Sequence, residues 1–172
     1  MSILARLFRS RPDPREDLRP LWHRVVEIAR EREWYADRGV ADTVAGRFDM
    51  ITAVLAAVLV RLEQEPDLVG PSVHLTEIFV EDMDGQLRES GIGDVVVGKH
   101  IGRLMATLGG RLGAYRTGLA SAESGPLEEA VARNVSLNED ASPDEVAAAL
   151  RQLAAQLADT GSDAILGGAI SR

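Results

Sequence analysis

The sequence predicts an all-α fold, a single-domain helical bundle of about five to six helices with a buried central helix. Three observations carry this prediction. The 172 residues are enough for one domain with a hydrophobic core. Apolar residues make up 45% of the chain but aromatic residues only 4%, a mix that favours helix packing through small side chains. Apolar positions also recur at helical spacing along most of the chain.

Residues 1–15 form a basic amphipathic N-terminal segment. Apolar side chains at helical spacing face one way and arginines the other, a pattern suited to an anionic membrane surface. Membrane contact is expected through Leu4, Arg6, Leu7, Phe8 and Arg9. The alternatives are a frayed terminus or a helix docked on the body. Two prolines in "RPDPRED" end the segment.

The helical domain is predicted over residues 16–160, with a loosely ordered tail at 161–172. The expected helices run from about Leu18 to Tyr35, Val44 to Gln64, Ser72 to Ser90, Asp94 to Leu119, Leu127 to Val135 and Pro143 to Thr160. Only "DVVVGKH", at the start of the fourth helix, could instead be a short strand.

The second helix is expected to be the central one. It contains the longest apolar run, "MITAVLAAVLV", and is apolar nearly all round, which is typical of a buried helix. Eleven apolar residues are too few to cross a bilayer, which needs about 20. The protein is therefore expected in the cytoplasm, with peripheral contact to the inner membrane through its N-terminus.

The third helix carries an acidic motif, "FVEDMDGQLRESGIGD", which ends in a glycine turn. Projected at 100° per residue, Glu81 and Asp84 fall on the polar face, whereas Asp82 falls on the apolar face beside Phe79. A buried carboxylate needs a partner. If the third and fourth helices form a hairpin, Asp82 lies near Arg103 and Glu89 near Lys99. Such ion pairs would either fix the hairpin or take part in binding.

These acidic residues do not predict a metal or catalytic site. "DMDG" resembles the start of a calcium loop but lacks the glycine and glutamate that the loop requires further on. There is no cysteine, and no nucleophile with a histidine partner can be recognised. We therefore expect no metal, no cofactor and no enzymatic activity. The net charge of −8 argues against a nucleic-acid partner.

The fourth helix combines an apolar stripe with a stripe of small residues. The small residues are Gly98, Gly102, Ala106, Gly109 and Gly113. A groove of this kind lets another helix approach closely. Tight packing inside the domain is the favoured interpretation, and binding of a partner helix is the alternative.

Three stretches resemble the ubiquinol–cytochrome c chaperone family: "WYADRGVADTVAGRFDMITAVLAAVLVRL", "FVEDMDGQLRESGIGDVVVGKHIGRL" and "GRLGAYR". The similarity covers about residues 34–116, and the chain beyond about residue 120 shows no resemblance. It implies a non-catalytic assembly factor that binds newly made cytochrome b and supports assembly of the cytochrome bc complex. The expected partner-binding residues are Phe79, Asp82, Arg88, Glu89, Asp94, Lys99, Arg103 and Tyr115.

Two other functions remain open at the level of sequence. A helical enzyme or small-ligand protein would place Asp82 in a deep pocket with a second polar group of perturbed pKa. A purely structural adaptor would dock its N-terminal helix on its own domain.

Overall fold

A computed structural model describes the backbone of residues 13–89 and 94–171, and their side chains except those of residues 87–104. The helices are α1 (Arg19–Ala29), α2 (Arg32–Ala36), α3 (Val44–Leu62), α4 (Val69–Glu89), α5 (Asp94–Ala120), α6 (Gly125–Asn134), α7 (Pro143–Asp159) and α8 (Ser162–Leu166). Short 3₁₀ turns precede α1 and α4. The predicted all-α fold is confirmed. The "DVVVGKH" stretch is helical, because it forms the start of α5.

The central position of α3 is confirmed. Every residue from Asp49 to Leu59 is buried, and α3 contacts α1, α4, α5 and α7. Thr43 stands at the N-cap, where its hydroxyl accepts a hydrogen bond from the Gly46 amide at 3.1 Å. The apolar run that stood out in the sequence is therefore the axis around which the other helices pack.

The first predicted helix is divided into α1 and α2 at Arg30 and Glu31. Two aromatic side chains explain the break. The indole of Trp34 donates to the Ile28 carbonyl and the hydroxyl of Tyr35 donates to the Ala29 carbonyl, both at 2.7 Å. These hydrogen bonds occupy the Ile28 and Ala29 carbonyl oxygens, which would accept backbone amide hydrogen bonds if the helix continued. Trp34 is fully buried, so the break also places a large apolar side chain in the core.

The C-terminal residues are not the loosely ordered tail that the sequence suggested. Ile165 and Ile170 are buried, and Arg24 of α1 donates to the Ile170 carbonyl at 3.0 Å. Gly168 has a φ of +76°, and a Cβ there would lie 2.7 Å from the carbonyl oxygen of Pro20. The segment docks closely on α1, and glycine is needed at the point of contact.

Candidate partner-binding surface

One face of α5 is buried against α3 and carries a polar residue among apolar ones. Leu108 and Tyr115 are almost fully buried, and Arg111 lies between them at helical spacing. A guanidinium in such a position needs a carboxylate partner close by.

That partner is Asp49 of α3, which is only 6% exposed. Arg111 Nη2 lies 2.7 Å from Asp49 Oδ1, and Arg111 Nη1 donates to the Thr52 hydroxyl at 2.6 Å. Asp49 Oδ2 accepts bonds from the amide and hydroxyl of Ser136, at 2.9 and 2.7 Å. The arginine also lies over the Phe48 ring, 5.5 Å from its centroid. This polar cluster connects α3, α5 and the segment after α6.

Sequence reasoning missed this cluster, although it left signals. Asp49 directly precedes the apolar run of α3, and Arg111 interrupts the apolar stripe of α5. Nothing in the sequence pairs the two, because they lie on different helices. The cluster positions α5 on the core; it offers no open site for a ligand.

The opposite face of α5 is uncovered. Met105 is 42% exposed, and Gly109 and Gly113 follow it at four-residue intervals. A Cβ added to Gly109, Gly110 or Gly113 would meet no atom of the described residues within 4 Å. The interpretation of the small residues as internal packing is therefore wrong for this described part of the stripe. Gly98 and Gly102 lie outside the described side chains.

A neighbouring part of α4 is apolar and exposed as well. Val69 and Val73 are exposed, and Thr76 and Val80 continue their stripe at three- and four-residue spacing. Met105 lies beside Thr76 and Val80 in a cleft of about 320 Å³ between the two helices. The exposed stripe of α4, the cleft and the small-residue face of α5 together form what we call the α4–α5 surface.

Acidic side chains border the cleft of the α4–α5 surface. Glu77, Glu81 and Asp84 line it together with the apolar residues. Glu81 is exposed, as the helical projection predicted, and lies 3.6 Å from the guanidinium nitrogens of Arg15 and Arg19. Asp84 is partly buried, whereas the helical projection predicted an exposed side chain. It shares the cleft with Met105. The surface is therefore apolar in its middle and bordered on one edge by carboxylates, one of which, Glu81, is already paired with Arg15 and Arg19.

Two of the predicted partner-binding residues belong to the core. Phe79 is fully buried and packs edge-on against Trp22, with ring centroids 6.0 Å apart. Tyr115 is 1% exposed, and its hydroxyl has no hydrogen-bond partner within the described part of the chain. Burial raises the pKa of this hydroxyl. Neither residue can contact a partner directly, which corrects the prediction made for them.

Asp82 lies on a different side of α4 from the cleft with Met105. It is partly buried, accepts a hydrogen bond from Gln86 Nε2 at 3.3 Å, and lines a depression with Trp22 and His23 of α1. The side chains of Arg88, Glu89, Asp94, Lys99 and Arg103 lie outside the described part of the chain, so the predicted ion pairs stay predictions. Asp82 therefore faces α1.

The predicted membrane contacts Leu4, Arg6, Leu7, Phe8 and Arg9 also lie outside the described residues. Within residues 13–89 and 94–171, none of the helices combines the length and the hydrophobicity needed to cross a bilayer. Over the same residues, no three histidine, aspartate or glutamate side chains come together in a group that could hold a metal ion.

Comparison with known proteins identifies the family. A family model described as ubiquinol-cytochrome C chaperone matches residues 36–171. The chain belongs to the ubiquinol-cytochrome c chaperone family. The match extends through the C-terminal helices, well beyond the stretch whose resemblance was evident in the sequence. The crystal structure of the Cbp3 homolog from Brucella abortus is similar, with 29% sequence identity and a TM-score of 0.80, and the similarity covers 98% of this chain and 96% of that one. No curated protein matches the sequence.

Family membership gives the protein the role of a chaperone in the assembly of the cytochrome bc complex. A chaperone of this kind binds a subunit of a respiratory complex. Such binding generally uses exposed apolar surface, and the α4–α5 surface exposes apolar side chains.

Proposed function

We propose that this chaperone binds newly made cytochrome b through the α4–α5 surface and holds it, without catalysis, during assembly of the cytochrome bc complex. The observation that carries the proposal is the exposure of Val73, Met105 and Gly109 on two adjacent helices. Exposed apolar side chains beside exposed glycines lower the solubility of a protein unless a partner covers them. Their presence therefore supports a partner-binding role.

The small residues suit a helical client. Membrane helices associate closely where glycine or alanine lets the backbones approach, and Gly109 and Gly113 provide such positions. A helix of cytochrome b that has not yet met its neighbours has apolar side chains to cover. The α4–α5 surface would cover part of one such helix until the partner subunits arrive.

An exposed acidic residue at the edge of the cleft suits the segments that join membrane helices. Segments on the cytoplasmic side of a membrane protein carry an excess of lysine and arginine. The exposed carboxylate of Glu77 would attract these residues while the apolar middle of the surface contacts the helix end. The basic residues Arg6 and Arg9 of the N-terminal segment would keep the chaperone at the inner membrane, where cytochrome b is inserted.

The experiment is capture of cytochrome b from detergent-solubilised membranes by the full-length chaperone and by the variant Gly109→Leu/Gly113→Leu. We expect the variant to retain less than about a tenth of the captured cytochrome b, because two leucines would occupy the small-residue face, and tenfold corresponds to about 1.4 kcal/mol. Its thermal stability should be unchanged or higher, since leucine favours a helix over glycine by up to about 1 kcal/mol.

The matched control is Gly125→Leu, at the start of α6, where an added Cβ also meets open space. It should capture cytochrome b as the unaltered protein does. Normal capture by Gly109→Leu/Gly113→Leu would exclude the α4–α5 surface as the binding site. Failure of the unaltered protein to capture cytochrome b, together with a normal cytochrome bc complex in a deletion strain, would exclude cytochrome b as the client.

A further inference from the structure

A basic depression lies where α1, α2 and the start of α3 meet. It has a volume of about 460 Å³ and is lined by Arg30, Arg32, Tyr35, Ala36, Asp42 and Arg47. We call it the basic cleft. None of its residues lines the α4–α5 surface.

The charges of the basic cleft do not balance. Asp42 Oδ1 lies 2.7 Å from Arg47 Nε, and this pairing holds the pKa of the aspartate below its usual value. Arg30 and Arg32 are exposed, and neither forms an ion pair with any residue that the structure describes. Two uncompensated positive charges therefore remain in one depression of a protein whose net charge is −8.

Tyr35 fixes the geometry of the basic cleft. Its hydroxyl donates to the Ala29 carbonyl at 2.7 Å, which holds the ring beside the end of α1. Burial raises the pKa of Tyr35, Asp42 raises it further, and the positive charges of Arg47 and Arg30 act in the opposite direction. The arginines thus line the same depression as a tyrosine ring that is itself held in place.

An apolar side chain projects beside the basic cleft. Val44, the first residue of α3, is 89% exposed and precedes Arg47 by three residues, so it lies on an adjoining part of the helix surface. Arginines, a half-buried tyrosine and an exposed aliphatic side chain are the groups that proteins use at the polar boundary of a bilayer.

We propose that the basic cleft binds the phosphate headgroup of an anionic phospholipid, so that this end of the chaperone rests on the membrane surface. Arg30 and Arg32 supply the charge for the phosphate, and Val44 enters the boundary between headgroups and acyl chains. The contact is separate from any made by residues 1–12, and it does not depend on which client the chaperone holds.

The test is flotation of the full-length protein with vesicles of phosphatidylcholine, with and without phosphatidylglycerol. We expect binding only to vesicles that contain phosphatidylglycerol, and binding roughly 30-fold weaker for Arg30→Gln/Arg32→Gln, because two basic residues leave the surface. All variants are also made in an Arg6→Gln/Arg9→Gln background, so that any contribution of the N-terminal segment is measured separately. The matched control is Arg116→Gln/Arg133→Gln, which removes the same charge from exposed positions elsewhere.

The outcomes distinguish binding to a membrane surface from binding of free phosphate. Val44→Ser should weaken vesicle binding several-fold and leave binding of inorganic phosphate, followed by NMR shifts of the arginine side chains, unchanged. Vesicle binding that survives Arg30→Gln/Arg32→Gln, or that falls equally in the control, would overturn the proposal. Phosphate binding that depends on Arg30 and Arg32 without any vesicle binding would also overturn it, since the cleft would then serve a soluble anion.

Discussion

The two faces of α5 differ in the residues they carry and in what those residues meet. The face toward α3 carries Leu108, Arg111 and Tyr115, and all three are in contact with the core or the buried aspartate. The face away from α3 carries Met105, which borders the cleft with α4, and Gly109, which is exposed. A helix anchored firmly on one side can leave the other side uncovered without losing its position, and a chaperone needs that combination.

The largest expected effect comes from removing the Arg111–Asp49 ion pair that holds α5 against α3. Replacing Arg111 with alanine should lower the free energy of unfolding by about 3–5 kcal/mol, because Asp49 would remain buried without its cation. Urea denaturation measures the change. The control is Arg133→Ala, which removes an exposed pair with Glu129 and should cost less than about 1 kcal/mol. A loss as small as that in Arg111→Ala would mean that the pair does not anchor α5.

A smaller effect is expected from adding one methyl group to either face. At Gly118 an added Cβ would lie 2.7 Å from the Cα of Leu127, where α5 and α6 pack closely. Gly118→Ala should therefore lower stability by about 1–3 kcal/mol.

Gly110 is the matched position on the open side of the same helix, since an added Cβ there meets nothing within 4 Å. Gly110→Ala should raise stability by up to about 1 kcal/mol, because alanine favours the helix. Thermal unfolding of the two variants tests the contrast between the two faces directly. Equal changes in both would show that the faces do not differ in packing.

The smallest effect concerns the hydroxyl of Tyr115. It is buried and has no hydrogen-bond partner among the described residues, so Tyr115→Phe should leave stability unchanged or raise it by up to about 1 kcal/mol. Tyr35→Phe is the comparison, because it removes a bond to the Ala29 carbonyl and should cost about 1 kcal/mol. A clear loss of stability in Tyr115→Phe would reveal a partner for its hydroxyl.

Most of the helices could be predicted from the sequence. The bounds predicted for α3, α5 and α7 agree with the structure within a few residues, because helical spacing and end signals such as Thr43 and Pro143 act locally. The family resemblance was also carried by local motifs. The break between α1 and α2 was missed because it depends on two aromatic side chains that turn back to carbonyls six residues earlier.

The candidate site was predicted less well. A projection of α4 placed Asp82 on the apolar face but could not say which neighbouring helix that face meets. Phe79 lies within the acidic motif, yet it packs against Trp22 in the core. The sequence favours internal packing for the small-residue face of α5, since the spacing of small residues is the same whether or not another helix fills the groove.

The sequence by itself determined that the chain is helical, that α3 is its centre, and which family it resembles, because these depend on patterns within single helices. Only the tertiary structure decided that Asp49 pairs with Arg111 and Ser136, that Phe79 and Tyr115 are buried, and that the outer face of α5 is open. The physical reason is distance along the chain. Asp49 and Ser136 are 87 residues apart, and whether a polar residue is paired or a groove is filled depends on which distant segments the fold brings together.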